Sequence, residues 1–165
     1  MQIRDAHIED AVAACDVLRR SITELCSRDH DDDPAILQRW LANKTPENVT
    51  AWIGKADSHV LVATEAGAIL AVGAVTERGE ITLNYVSPEA RFRGVSRALL
   101  TQLEAKAAGL GNDVCTLTST ETARRFYLSA GYVEQGPPKR NFGTSAGYPM
   151  AKRLSDPADP AAARP

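Results

Sequence analysis

Long apolar runs are missing from these 165 residues. Nothing approaches the roughly eighteen consecutive apolar positions that a membrane-crossing helix requires. The opening stretch Met1-Gln2-Ile3-Arg4-Asp5-Ala6 lacks the apolar core of a secretory signal, so no leader is expected. Cysteine is sparse: Cys15, Cys26 and Cys115 are far apart and in no C-x-x-C pair. That argues against a disulfide framework and for reduced thiols in the cytoplasm. Net charge is nearly absent, at −2, and this excludes the markedly basic balance of a dedicated nucleic-acid binder. No internal repeat is visible. What is present, 44% hydrophobic and 24% charged residues, is ordinary for a globular protein. The length suits one domain that buries its core without disulfides or metal.

The small total hides an asymmetry. Residues 1–80 hold 8 Lys/Arg and 14 Asp/Glu, a net of −6, whereas residues 81–165 hold 11 and 7, a net of +4.

Residues 2–5 read as a short strand. Ile8, Ala11, Val12, Cys15, Leu18, Ile22 and Leu25 then recur every three or four residues and predict an amphipathic helix over 7–26. Asp29-His30-Asp31-Asp32-Asp33 breaks it and reads as a solvated, capping acidic turn, without the spaced ligands of a calcium loop. Asp33-Pro34 and Thr45-Pro46 each pair a capping oxygen with a proline at the first helical position, so two further helices start there. Trp40 and Trp52 read as their core anchors.

From about residue 58 the period shortens. Runs at 59–64, 69–75 and 81–86, separated by Ala66-Gly67 and Arg78-Gly79, predict an antiparallel meander. A helix over 94–110, a strand at 114–117, a helix over 120–130 and a strand from Tyr132 follow. Residues 135–147 read as a loop, 148–154 as a last strand, and 155–165 as a disordered tail. The order gives an α+β (mixed α/β) class, with residues 1–154 as a single domain.

The stretch from Val86 to Leu100 carries the clearest chemistry. A strand ends, a loop supplies Arg91, Phe92, Arg93 and Gly94, and a helix opens with Val95, Ser96 and Arg97. Unpaired N–H groups and the helix dipole attract anions at such a place, and the arginines add charge. Gly94 lets the backbone come close to a phosphate and Ser96 does not block it. An ordinary strand-to-helix turn with solvated arginines fits the same residues.

Arg91-x-x-Gly94-x-Ser96, with Ala98-Leu99-Leu100 after it and Val86-Ser87-Pro88 before it, resembles the Q/R-x-x-G-x-G/A motif of the GCN5-related N-acetyltransferases (GNAT). Thr120 to Tyr132, with Ala123, Phe126-Tyr127 and Gly131, is similar to that family's N-x-x-A-x-x-F-Y-x-x-x-G-F/Y block. The resemblance spans residues 58–135. Ser96 and Thr120 depart from it, standing where Gly or Ala and Asn are usual.

The resemblance implies a twisted, mostly antiparallel sheet of six or seven strands with helices on both faces, and homodimers, which are common in the family. It implies acetyl-CoA as cosubstrate, no metal, and acetyl transfer by direct attack of a primary amine, on a small molecule or a peptide, in a ternary complex. Tyr85, Val86, Arg91, Phe92, Arg93, Gly94, Val95, Ser96, Arg97, Thr120 and Phe126 would then hold the cofactor. A bulge mapped onto Tyr85–Ser87 would present the Val86 N–H to the oxyanion, and Tyr127 would protonate the thiolate. The general base is not fixed. The strand offers Asn84, which cannot accept a proton but can orient water or the amine. Glu24, Asp29 and His30 come from the region that builds the family's acceptor pocket, or are simply solvated. Cys26 and His30 would make a thiolate–imidazole pair only if the first helix ran on. The rival reading is a non-catalytic module that holds acyl-CoA or a peptide, favoured by the missing strand carboxylate and opposed by Tyr127. No nucleic-acid or membrane partner is expected. A polyphosphate on the basic half and a cationic amine on the acidic half would account for both signs of charge.

Overall fold

The computed structural model describes residues 1–140 and 146–154. The tail expected to be disordered, 155–165, and the centre of the expected loop lie outside the described residues.

Strand β1 (Gln2–Asp5) leads through a short 3-10 turn into α1 (Ala11–Leu25), followed by α2 (Ser27–His30), α3 (Pro34–Leu41) and α4 (Pro46–Ile53). Asp33 caps α3 by accepting from the Ala35 N–H at 2.8 Å, and Thr45 caps α4 by accepting from the Asn48 N–H at 3.2 Å. Both helices carry proline in their first turn, as their start signals require.

The meander follows: β2 (Ser58–Glu65), β3 (Ala68–Thr76) and β4 (Ile81–Val86). Ala66 and Gly67 both take positive φ, 49° and 82°, so a two-residue turn sends β3 back along β2, with a register shift between Ala63 and Thr64. Next come α5 (Val95–Gly109), β5 (Val114–Ser119), α6 (Arg124–Ser129), β6 (Val133–Glu134), β7 (Lys139–Arg140) and β8 (Ala146–Arg153). The order is β1-β2-β3-β4 in one antiparallel sheet and β5-β8-β6 in the other, with β7 on β8. Beyond these pairings, one parallel bridge between Glu80 and Thr116 connects β4 to β5. The two strands then part, and the gap between them is the feature on which the site is built.

Helices cover both faces. Ala11, Ala14, Cys15 and Leu18 of α1 pack with Val49 of α4 on Val62, Val72 and Ala74. Val95, Leu99, Leu103 and Ala107 of α5 pack on Ala71 and Val75 from the opposite face. Gly73 leaves room for that approach: a Cβ there would stand 2.8 Å from Leu103 Cδ1. Burying a leucine such as Leu99 completely contributes about 2 kcal/mol.

Four expectations need correction. The predicted 120–130 helix begins only at Arg124, because residues 121–123 form a turn. The predicted 135–147 loop contains β7 and the first residues of β8, which pair with each other. The bulge lies at Thr82, where the β3–β4 register shifts, and Leu83 to Val86 pair regularly with β3. The acidic turn is not solvated throughout: Asp29 and His30 sit in the one-turn helix α2 and are buried.

Candidate active site

Ser87 donates its N–H to the Leu70 carbonyl at 2.8 Å. Ladder bonds in an antiparallel pair fall on alternate residues, so Tyr85 and Leu83 also face β3. The N–H groups of Asn84 and Val86 therefore point to the other edge of β4, where β5 has parted from it. Side chains alternate in the same way: Tyr85 packs toward α1 and Val86 toward α5.

At the end of β4 the chain turns through Pro88–Ala90 into α5. Gly94 caps α5 in the left-handed conformation, φ 78°, and a Cβ built on it meets nothing within 4 Å. The first helical bond runs from the Ala98 N–H to the Gly94 carbonyl at 3.0 Å. The N–H groups of Val95, Ser96 and Arg97 are thus left without a carbonyl, facing open space. Phe92 also has positive φ, 62°, and is 91% exposed, with the Arg91 guanidinium 4.6 Å from its ring centre.

These elements enclose a cavity of about 420 Å³. Asn84, Tyr85, Val86, Arg91, Phe92, Gly94, Val95, Ser96, Arg97, Thr120, Phe126 and Tyr127, all named from the sequence, line it together. A smaller hollow of about 70 Å³ lies between the parted strands and shares Asn84, Tyr85, Thr120, Ala123 and Tyr127 with it. Ser21, Leu25, Cys26, Thr122 and Ala123 also line the cavity; none of them was assigned to it individually from the sequence. A signal existed for part of this group, since Leu25 continues the apolar stripe of α1 past the end of the sheet.

Three expected residues stand elsewhere. Arg93 does not line the cavity and pairs with Glu65 across the loop at 2.7 Å. Glu24 does not line it either; it pairs with Arg20 at 3.0 Å, and Arg20 also reaches Glu89. His30 is buried behind the wall. Its Nδ1 accepts the Asp32 N–H at 3.0 Å, so Nε2 carries the proton and donates to the Ile22 carbonyl at 3.0 Å. Neither ring nitrogen is left for a substrate or for Cys26.

The phenols and the thiol on the cavity wall favour their neutral forms. Burial pushes the Tyr127 phenol up to about 12, while the Asn84 amide beside it acts in the opposite direction. The Cys26 thiol also rises to about 12, chiefly through burial, with the Asp29 charge adding to the shift and Arg91 opposing it. Tyr85 is raised chiefly by burial as well. Asn84 Oδ1 is buried without a hydrogen-bond partner. Tyr127 is fixed edge-on between Phe126 and Tyr132, with ring centres 5.1 and 5.6 Å away. Arg97 lies over the Phe126 ring at 5.3 Å and is tied to Ser129 Oγ at 2.7 Å. Among the described residues no three His, Cys, Asp or Glu side chains gather as metal ligands. No helix among them is long and apolar enough to cross a membrane.

A search among curated proteins found no match. Solved structures do share the fold. A GCN5-related N-acetyltransferase (aminotransferase, class II) from Rhodopseudomonas palustris superposes with a TM-score of 0.80 at 24% identity, over 93% of this chain and 95% of that one. The PaiA N-acetyltransferase of Thermoplasma acidophilum, in complex with coenzyme A, gives 0.80 at 18% identity over 93% and 98%. YncA of Salmonella typhimurium, solved with its cofactor acetyl-CoA, gives 0.71 at 21% identity over 97% of both chains. The family model for the acetyltransferase (GNAT) domain matches residues 26–154, well over half of the sequence. With that match added to the parted strands and the glycine-capped helix, the chain belongs to the GNAT acetyltransferase family.

Proposed function

We propose that residues 1–154 act as one N-acetyltransferase unit that moves an acetyl group from acetyl-CoA to a primary amine by direct attack in a ternary complex. One observation carries this reading. The unpaired N–H groups that open α5, the outward-facing edge of β4 and Tyr127 all border a single cavity. The neighbours solved with coenzyme A or acetyl-CoA support the choice of cosubstrate.

Acetyl-CoA fits the residues present. The N–H groups of Val95, Ser96 and Arg97, with Arg91 beside them, would hold its pyrophosphate, and the empty space above Gly94 is where a Cβ would intrude. Thr120, Phe126 and Tyr85 would flank its arm, and Phe92 stands at the lip. When bound, the cofactor supplies the thioester. The Val86 N–H would donate to the carbonyl oxygen as negative charge builds on it. Attack forms the C–N bond and breaks the C–S bond. Tyr127, protonated because burial disfavours its phenolate, would give its proton to the departing sulfur. The new amide nitrogen loses a proton to solvent, and water returns one to the phenolate.

No carboxylate lines the cavity among the described residues, so proton removal from the amine falls to water. Asn84 Oδ1, an acceptor without a partner, would orient that water or the amine itself. The buried free cysteines suit a reducing compartment, and we place the protein in the cytoplasm.

The same lack of a carboxylate favours one other reading, a module that binds acyl-CoA or a peptide without turnover. Thiol release from acetyl-CoA, measured against a panel of spermidine, tyramine, glucosamine and alaninamide, separates the two. Amine-dependent release is expected; tight CoA binding with no release for any amine identifies the module.

A further inference from the structure

We propose that Asp29 is a positioning residue for acetyl transfer, holding the turn that carries Tyr127 into the cleft; this rests on the acetyltransferase reading above. Its carboxylate is 1% exposed. Oδ1 accepts the Glu121 N–H at 2.9 Å, and Oδ2 accepts the Thr122 N–H at 3.1 Å and the Thr122 hydroxyl at 2.6 Å. The partners lie 92 and 93 residues further along the chain.

The location of these donors gives the contact its meaning. Glu121 and Thr122 form the turn that leads into α6. Asp29 accepts from both of their N–H groups from another element and so holds the turn that leads into α6, whose own N-cap is Ala123. Thr120, Thr122 and Ala123 line the cavity, and the Tyr127 N–H donates to the Ala123 carbonyl at 3.1 Å. The position of Asp29 thus passes directly to the helical turn that presents the phenol.

The other end of the strut is fixed as well. Asp29 and His30 share the single turn of α2. His30 pins that turn through Ile22 and Asp32, with its ring edge-on to Trp40 at 6.4 Å. Leu25 and Cys26, just before α2, form the opposite wall of the cavity. The carboxylate therefore spans from the acceptor-side wall to the wall that carries Tyr127. A buried carboxylate is costly without partners, and these three donors help to compensate it.

The test uses the whole chain, acetyl-CoA and the fastest amine of the panel above. Asp29→Asn turns one acceptor oxygen into a donor that faces other donors. The expected result is a kcat at least 10-fold lower, with CoA affinity by calorimetry changed less than 3-fold, because the donors Glu121 and Thr122 lie on the α6 side of the cleft, away from the opening of α5. Combined with Tyr127→Phe, Asp29→Asn should add almost nothing to the loss. Thr122→Val, which deletes only the hydroxyl, should lower kcat by a few-fold, and Thr122→Ser should restore it. A folded Asp29→Asn protein with unchanged kcat overturns the proposal, as does a loss fully additive with Tyr127→Phe. If Asp29→Asn does not fold, the Thr122 pair decides: wild-type kcat in Thr122→Val overturns it. A wild-type chain that transfers no acetyl group to any amine overturns the acetyltransferase reading and this one together.

Discussion

Gly94→Ala separates the backbone role of this residue from its role at the ligand. Gly94 sits at φ 78° with open space where a Cβ would be. An L-residue in the left-handed region costs about 1–2 kcal/mol, and alanine returns part of that by restricting the unfolded chain, leaving a net loss near 1 kcal/mol. For a protein of this length that lowers Tm by about 2–4 °C. If phosphate sits against the opening of α5, the new methyl group also occupies the approach to the Val95 and Ser96 N–H groups. Losing one or two charge-assisted hydrogen bonds, each about 1.5–3 kcal/mol, predicts a 10-fold to 100-fold or greater weakening of CoA binding. Gly111 is the control. It has φ 91°, equally open surroundings, and no place on the cavity wall. Gly111→Ala should show the same fall in Tm with CoA affinity unchanged. Differential scanning fluorimetry and isothermal titration calorimetry on the two variants give both numbers. Equal CoA affinity in Gly94→Ala and Gly111→Ala would refute the phosphate site, however the stabilities compare.

Arg91→Ala should weaken CoA binding about 10-fold and Arg93→Ala less than 3-fold, because Arg93 is held by Glu65 away from the cavity; titration calorimetry reads both, and the reverse order would show the arginine assignment to be wrong. Tyr127→Phe should lower kcat about 100-fold. Since an acid works only while protonated and this phenol is pushed up to about 12, the wild-type rate should show no falling limb up to pH 10. A limb between pH 7 and 9 that Tyr127→Phe abolishes would contradict that shift. Gly73→Ala places a Cβ 2.8 Å from Leu103 Cδ1 and 3.1 Å from Leu99 Cδ2, so it should cost about 1–3 kcal/mol in urea unfolding through overpacking; wild-type stability would mean that α5 sits farther from the sheet.

The readable part of this protein is the part whose physics is local. Asp33-Pro34 and Thr45-Pro46 state their caps within two residues, and the structure forms both. The run from Arg91 to Arg97 carries its strand end, its loop and its helix start together, and all of it but Arg93 lines the cavity. Asn84 and Val86 are named through the resemblance to the family, and the pairing of β4 with β3 turns both of their N–H groups to the edge that β5 leaves. What failed depends on partners far along the chain. An acid among acids, Asp29 looks solvated, and the donors of Glu121 and Thr122, more than ninety residues away, help make its burial affordable. Arg93 differs from Arg91 only because Glu65 stands across the loop from it. The position of the bulge is a matter of register against β3, and β4 alone does not state it. Ser21 and Leu25 fall on a helix whose buried face serves first the sheet and then the cavity, with no change in pattern between the two, and Cys26 caps its end.

The charge asymmetry takes a different meaning from the one first given to it. The acidic half does not wall the cleft. Glu65 meets Arg93 at 2.7 Å, Asp5 meets Lys106 at 3.3 Å, and Asp29 binds the turn before α6. These acids join the first half of the chain to the second. Among the described residues, the charged groups left on the cavity wall are Arg91 and Arg97, both cationic. That suits a polyphosphate, whose charge must be matched at α5. On the proposed reading, the amine then meets Ser21, Cys26, Asn84 and Tyr85, none of them a counter-ion. An ammonium gains nothing there by keeping its proton, and it cannot attack a thioester while it does. Discrimination between acceptors then rests on shape, and on how readily each amine sheds its proton, rather than on ion pairing.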